Sequence, residues 1–199
     1  MQLLFATSNP HKLEEVRAML GPLGIDVIGL DQLDDLPPEP VEDADTFAGN
    51  ARIKAVAYAQ ATGRPCLADD SGLEVDALDG APGVISARYA GAGGSRAECD
   101  AANNAKLLSE LADVPDEQRT ARFVCCMCLA DAAGKILAET RGMFDGRSGQ
   151  EPRGQSGFGY DPLLELPELG RTVAELSSSA KNARSHRGQA ARAMAEEII

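Results

Sequence analysis

Two apolar runs, Arg122 to Ala130 and Lys135 to Thr140, flank Asp131-Ala-Ala-Gly134, and an Asp and a Gly so placed are what a tight chain reversal needs. A hairpin there makes two neighbouring strands antiparallel. The amino terminus asks for the other kind of connection. Gln2 to Ala6 is a short apolar run, Asn9 is placed to cap a helix, Pro10 suits the first helical position, and Leu13, Val16 and Leu20 recur on one face. A strand that hands over to a helix leads to a crossover and a parallel neighbour. A chain holding both signals is an α/β protein whose sheet is mixed.

The remaining segments fit that frame. Asp31 to Asp45 carries seven acids, no base and three prolines, which reads as an irregular connection. From Thr46 a helix is expected to about Ala61, stopped by Gly63, with Asn50 and Lys54 one turn apart on the same face. Pro65 to Ala68 reads as a buried strand that ends at Asp69-Asp70-Ser71-Gly72, Leu73 to Leu78 as a further strand, and Gly80 to Gly83 as a turn. Ser95 to Leu111 is patterned as a helix with Cys99, Ala102, Leu107 and Leu111 inward. Gly149 to Gly159 reads as a loop, Arg171 to Glu175 as a short strand, and Gln189 to Ile198 as a closing helix.

A length of 199 residues, without a repeat or low-complexity linker, is expected to form a single domain over 1–199, large enough to hold two lobes. Hydrophobic residues at 44 % and charged residues at 25 % exclude a disordered or fibrous chain. The net charge of -12 repels polyphosphate at long range, so nucleic-acid and anionic-membrane binding are not expected. No apolar run is long enough to span a bilayer, and Met1 to Ala6 lacks the basic start of a secretory signal, so the expected compartment is the cytosol. The five cysteines include three in Cys125-Cys-Met-Cys128. They read as buried, reduced core residues, not as a zinc site.

Three clusters have the composition of a reactive site. Thr7-Ser8-Asn9-Pro10-His11-Lys12 lies where a strand hands over to a helix, so backbone N–H groups, the dipole and a lysine gather as a phosphate cradle would require. The same residues serve equally as a helix cap with a solvated lysine. Asp69-Asp70-Ser71-Gly72 sets two carboxylates side by side; their repulsion raises one pKa or recruits a cation, and oxygen ligands suit Mg²⁺. A polar turn after a strand is the alternative. Leu176 to Ala195 holds Lys181, Arg184, Arg187 and Arg192 and no acid, a local reversal of charge that fits an anion site, or else a solvated helix face. Gly157-Phe158-Gly159-Tyr160-Asp161 adds aromatic rings beside glycines in a chain poor in aromatics, as a platform for a planar base would.

Six blocks, in order and along nearly the whole chain, resemble the inosine triphosphate pyrophosphatase family: Thr7-Ser8-Asn9-x-x-Lys12, Asn50-Ala-x-x-Lys54-Ala55, Asp69-Asp70-Ser71-Gly72-Leu73, Gly80-Ala-Pro-Gly83 with Ser86-Ala-Arg-Tyr89, Phe158-Gly-Tyr-Asp161-Pro162 and Ser185-His-Arg-Gly188. The resemblance implies an elongated, two-lobed α/β fold with a long mixed sheet and a central substrate cleft, assembled as a homodimer. It implies hydrolysis of non-canonical purine nucleoside triphosphates such as ITP, dITP and XTP at the α-phosphorus, giving the monophosphate and pyrophosphate. Carried over by position, Thr7, Ser8, Asn9, Pro10, His11 and Lys12 hold the phosphates, with Ser71 and Lys54 beside them. Asp70 and Glu42 bind Mg²⁺, and Asp70 also orients or deprotonates the water. Phe158, Gly159, Tyr160, Asp161, Lys181, His186 and Arg187 line the nucleoside pocket, with Arg187 aimed at the 6-keto oxygen. One departure stands out: many relatives carry a glutamate directly before the Asn-Ala block, where this chain has Gly49.

Two other functions fit parts of the pattern. A pyrophosphatase for pyrimidine or methylated triphosphates would share the phosphate blocks and differ in base choice. A nucleotide-sensing module would use the pocket without turnover, but it gains nothing from adjacent carboxylates unless a metal is present.

Overall fold

The computed structural model describes residues 1–199. Its seven strands are β1 (Gln2–Phe5), β2 (Asp26–Gly29), β3 (Cys66–Val75), β4 (Thr120–Ala130), β5 (Ile136–Ser148), β6 (Leu164–Leu166) and β7 (Arg171–Thr172). They form one sheet in the order β2-β1-β3-β4-β5-β6-β7. β1 runs parallel to both β2 and β3, whereas β6 is antiparallel to β5 and β7, so the sheet is mixed as the connections demand. The helices are α1 (Pro10–Leu20), α2 (Phe47–Thr62), α3 (Arg96–Glu110), α4 (Ser178–Arg184) and α5 (His186–Ile198). None is long and apolar enough to cross a membrane.

Local signals place the ends of the helices. Asn9 Oδ1 accepts from His11 N–H with Pro10 at the first position of α1, and Thr46 Oγ1 accepts from Gly49 N–H at the start of α2. α2 stops at Gly63, whose left-handed φ of 64° lets the chain turn away. Ser95 and Glu98 close a reciprocal cap on α3. The hairpin forms at 131–134, where Asp131 N–H donates to Lys135 O and Gly134 N–H to Asp131 O.

The chain divides into two compact units, Met1–Ser71 with Cys125–Gly142 and Ser185–Ile199, and Gly72–Val124 with Met143–Arg184. In the first unit, Leu3, Phe5 and Leu67 of the sheet pack with Leu13, Val16 and Leu20 of α1 and with Ala190 and Met194 of α5. A second cluster, with Leu4, Cys66 and Ala68, packs against Ala51, Ala55, Tyr58 and Ala59 of α2. Cys125 belongs to the first cluster and Cys128 to the other, as alternation along β4 requires, and all five cysteines are free thiols. In the second unit, Leu73, Val75, Phe123, Leu163 and Leu164 form a core with Leu107 and Leu111 of the α3 region.

Three expectations need correction. β3 does not end at Asp69: it runs unbroken from Cys66 through Asp69-Asp70-Ser71-Gly72 to Val75, because partners from distant segments satisfy these polar side chains inside a sheet. α5 begins at His186, three residues early, where Ser185 Oγ accepts from Gly188 N–H. In α3, Cys99 and Ala102 are only half-buried, while the polar Asn103 faces inward and accepts from Ala90 N–H. The short strands β2 and β6, and helix α4, have no pattern of their own strong enough to be seen.

Candidate functional site

The pleat of β3 turns Asp69 and Asp70 to opposite faces of the sheet. Asp69, only 1 % exposed, is the hub of a buried ionic network. Lys12 Nζ lies 3.1 Å from its Oδ2, and Arg187 donates to the same oxygen from Nε at 3.2 Å and from NH2 at 3.0 Å. Ser71 Oγ donates to it as well, at 3.2 Å, while accepting from Arg187 NH2 at 2.6 Å. Arg187 NH1 in turn donates to Glu15 Oε2 at 2.7 Å. Burial alone would raise the pKa of Asp69, but Lys12, Arg187 and Lys54 outweigh it and hold the carboxyl well below the usual range. Asp69 ties the α1 turn, β3 and α5 together.

Asp70 faces α2. Asn50 Nδ2 donates to its Oδ2 at 3.2 Å, and the Lys54 ammonium stands 3.6 Å from its Oδ1. The same ammonium reaches Glu42 Oε2 at 2.8 Å, so one lysine joins two carboxylates that lie 28 residues apart in sequence. Burial raises the pKa of Asp70, with the Asp69 charge adding to it, against the pull of Lys54 and Lys12. For Lys54 burial works against the charge, but Asp70, Asp69 and Glu42 overcome it and raise the pKa. Lys12 goes the other way: burial outweighs Asp69 and lowers it. The adjacent acids are therefore shifted in opposite directions, Asp69 down and Asp70 up.

Asp70 and Glu42 also suit a hard cation. Both offer oxygen, and Mg²⁺ is commonly held by one or two carboxylates together with substrate phosphates. No group of three or more His, Cys, Asp or Glu side chains converges into a closed cage. That donor set fits Mg²⁺ and does not fit a structural zinc.

The α1 turn resolves the two readings of its sequence in part. Thr7 Oγ1 accepts from Asn9 N–H at 3.1 Å and Asn9 Oδ1 from His11 N–H at 3.0 Å, so the cap exists. Lys12 is not solvated; it is drawn in to Asp69. The second unit holds the aromatic segment. Lys181 Nζ lies 2.6 Å from Asp161 Oδ2 and 4.7 Å from the centre of the Phe158 ring, and Phe158 N–H donates to the same carboxylate at 2.9 Å. Tyr160 is a core residue: it is buried and its hydroxyl donates to Ser86 O at 2.9 Å. Of the two rings, only Phe158 remains partly exposed.

Asn50 and Glu15 were not among the residues picked from sequence for the site. Asn50 had a visible signal, a polar residue on the apolar face of α2. Glu15 had none, since its partner lies 172 residues away.

The sequence profile of the Ham1 family matches residues 3–197. The chain belongs to the Ham1 family. It is 53 % identical to a dITP/XTP pyrophosphatase of Exiguobacterium sibiricum over 191 residues, covering 96 % of this chain and 93 % of that protein. It is 51 % identical to a protein of the same name from Geobacter sulfurreducens, over 95 % of this chain and 92 % of that one. Among solved structures, a HAM1 protein from Coxiella burnetii superposes with a TM-score of 0.87 at 39 % identity, covering 100 % of this chain and 98 % of that chain. A nucleoside-triphosphatase / dITP/XTP pyrophosphatase from Mycobacterium abscessus gives 0.76 at 42 % identity, over 98 % of each chain.

In this Ham1-family chain, Gly49 has a local reason. A Cβ there would lie 2.6 Å from Ala44 Cβ and 3.1 Å from Thr46 Oγ1. The bare backbone lets the segment after Glu42 pack onto the first turn of α2, where Ala44 N–H donates to Asn50 Oδ1 at 3.0 Å.

Proposed function

We propose that this Ham1-family protein hydrolyses non-canonical purine nucleoside triphosphates, ITP, dITP and XTP, to the monophosphate and pyrophosphate with Mg²⁺ as cofactor. The observation that carries the reading is the Glu42–Lys54–Asp70 bridge: two carboxylates on either side of a cation, with Asp70 made basic by burial. Its relatives at 51–53 % identity are named for dITP and XTP.

Asp70 accepts a proton from the water whose oxygen attacks the α-phosphorus. The bond from that phosphorus to the bridging oxygen breaks, and its electron pair leaves with pyrophosphate. Lys54 and Lys12 would compensate charge on the phosphate chain, with Thr7, Ser8, Asn9, Pro10 and His11 forming the turn beside Lys12. Asp70 and Glu42 would hold Mg²⁺, which when bound neutralises phosphate charge. The ion pairs of Asp70 and Glu42 with Lys54 keep these acids in place before substrate arrives.

For the nucleoside we assign Phe158 to stack on the base, with Gly159, Asp161 and Lys181 around it and His186 and Arg187 as further donors. A donor facing the 6-keto oxygen accepts hypoxanthine and xanthine and meets another donor in adenine, and leaving a buried polar group unpaired costs about 1–3 kcal/mol. Arg187 is held by Asp69, Ser71 and Glu15, and Tyr160 acts through the core behind the loop. The reading includes a cytosolic homodimer, to be checked by sedimentation. Incubation with ITP and Mg²⁺ followed by product analysis tests the reaction: inosine monophosphate with pyrophosphate is expected, and the diphosphate with free phosphate would overturn it.

A further inference from the structure

Phe158 sits in a segment with little stiffness of its own. Gly157 on one side and Gly159 on the other both have left-handed φ, 81° and 62°. Glycine is the residue that loses most freedom when a loop is fixed, so the direction of the Phe158 ring depends on what holds its neighbours. Within the loop, Asp161 accepts from Phe158 N–H and its own N–H donates to Phe158 O at 3.2 Å. Those bonds close the turn upon itself.

From outside, Lys181 and Ala174 N–H hold Asp161 and Ser86 O holds the Tyr160 hydroxyl, while Gly159 itself is held by one face of α3. Asp100 Oδ2 accepts from Gly159 N–H at 2.8 Å, and Asn104 Nδ2 donates to Gly159 O at 2.9 Å. Asp100 and Asn104 are four apart, hence stacked on the same side of the helix. The two bonds fall on different peptide planes, the one entering Gly159 and the one leaving it, so together they fix both torsions of that residue. The first carries a charged acceptor, which makes it the stronger of the pair. α3 is itself a firm support, capped at Ser95 and anchored by Leu107 and Leu111 in the core.

We propose that Asp100 and Asn104 are positioning residues for base recognition: they lock Gly159 so that the Phe158 ring and the Asp161–Lys181 pair meet the purine already oriented. The proposal rests on the reading of Phe158 as the stacking ring. Neither residue touches the phosphate machinery of Asp70, Lys54 and Lys12, so the loss on removing them falls on base binding.

The test compares dITP hydrolysis with inhibition by its two products. Asp100→Ala and Asn104→Ala are each expected to raise KM for dITP about tenfold, with kcat within about twofold. The inhibition constant of deoxyinosine monophosphate rises in parallel, and that of pyrophosphate stays put. Asp100→Asn keeps an acceptor for Gly159 N–H and restores a near-parental KM. Asn104→Asp, which preserves size but faces Gly159 O with an acceptor, repeats the loss and serves if the alanine variant does not fold. An unchanged KM in these variants, or an equal weakening of pyrophosphate, overturns the clamp. Phe158→Ala separates the two ideas. If it raises KM while the α3 variants do not, the clamp alone falls; if it leaves KM unchanged, the stacking reading falls and takes the clamp with it.

Discussion

Asn50 hydrogen-bonds Asp70 with its amide nitrogen, Nδ2 to Oδ2 at 3.2 Å, while its amide oxygen accepts from Ala44 N–H. One side chain thus registers a carboxylate on β3 against the segment that delivers Glu42. Asn50→Leu takes this acceptor from Ala44 N–H and leaves Asp70 with Lys54 alone. It is expected to lower stability by about 1–3 kcal/mol, and to reduce kcat for dITP about tenfold or more through misplacement of Asp70. Denaturant melts and steady-state kinetics report the two effects; a variant with parental kcat would mean that Asp70 is placed without Asn50.

Asp70→Asn keeps size and the neighbouring hydrogen bonds but cannot take a proton. Turnover should fall by about 10²–10⁴, the usual worth of a positioned base, while circular dichroism remains that of the parent. Near-parental turnover in the folded variant would remove Asp70 from the chemistry.

Arg187 and Asp69 form an ion pair at 3.0 Å, with both side chains 1 % exposed. Breaking such a pair from one side leaves a buried charge, so Arg187→Ala should destabilise the fold by about 3–5 kcal/mol. Its effect on base choice is a separate readout. If Arg187 only braces Asp69, the ratio of dITP to dATP turnover stays constant among the surviving molecules; if it also reads the 6-keto oxygen, the ratio narrows.

The same pair fixes a pH dependence. The folded pKa of Asp69 lies below its unfolded value near 3.9, so its stabilising share is fully present above that pH and declines as the pH falls further, toward the folded pKa. Tm measured between pH 6 and pH 2.5 should therefore drop more steeply for the parent than for Asp69→Asn. Parallel curves would show that Asp69 is not held as an anion.

How much of this was legible depended on how far apart the partners lie. The caps at Asn9, Thr46 and Ser95 and the reversal at 131–134 are written within a few residues, and each was readable. β2 and β6 have four and three residues, and their strand character comes from the neighbour they pair with. Asp69-Asp70-Ser71-Gly72 looked like the end of a strand because polar residues usually break one. Here Lys12, Lys54 and Arg187 satisfy them from 57, 16 and 118 residues away, which no local window contains. The residue types of the candidate site are visible in the sequence, and which of them pair with which is not.

The thiols give an independent check on the core. Burial pushes Cys66 up to about 12 and Cys128 up to about 11, whereas Cys99 is half-buried at the start of α3. Iodoacetamide at pH 8 should modify Cys99 alone in the native protein and all five thiols after denaturation, as counted by mass spectrometry. Modification of several thiols in the native state would show an opening core. Since the folded pKa of Cys66 is raised, its neutral thiol favours the fold below the unfolded value, and that contribution is lost as the pH climbs from there toward 12.

Because the two carboxylates of β3 are sequence neighbours, their assignments hang on a parity. Loss of one residue between Cys66 and Asp69 would carry Asp70 to the place beside Arg187 and leave Ser71 facing Glu42 and Lys54. Such a chain would retain every candidate side chain in its sequence and still lack an acid beside Lys54, so strand alignment is as much a condition of this site as the acids themselves.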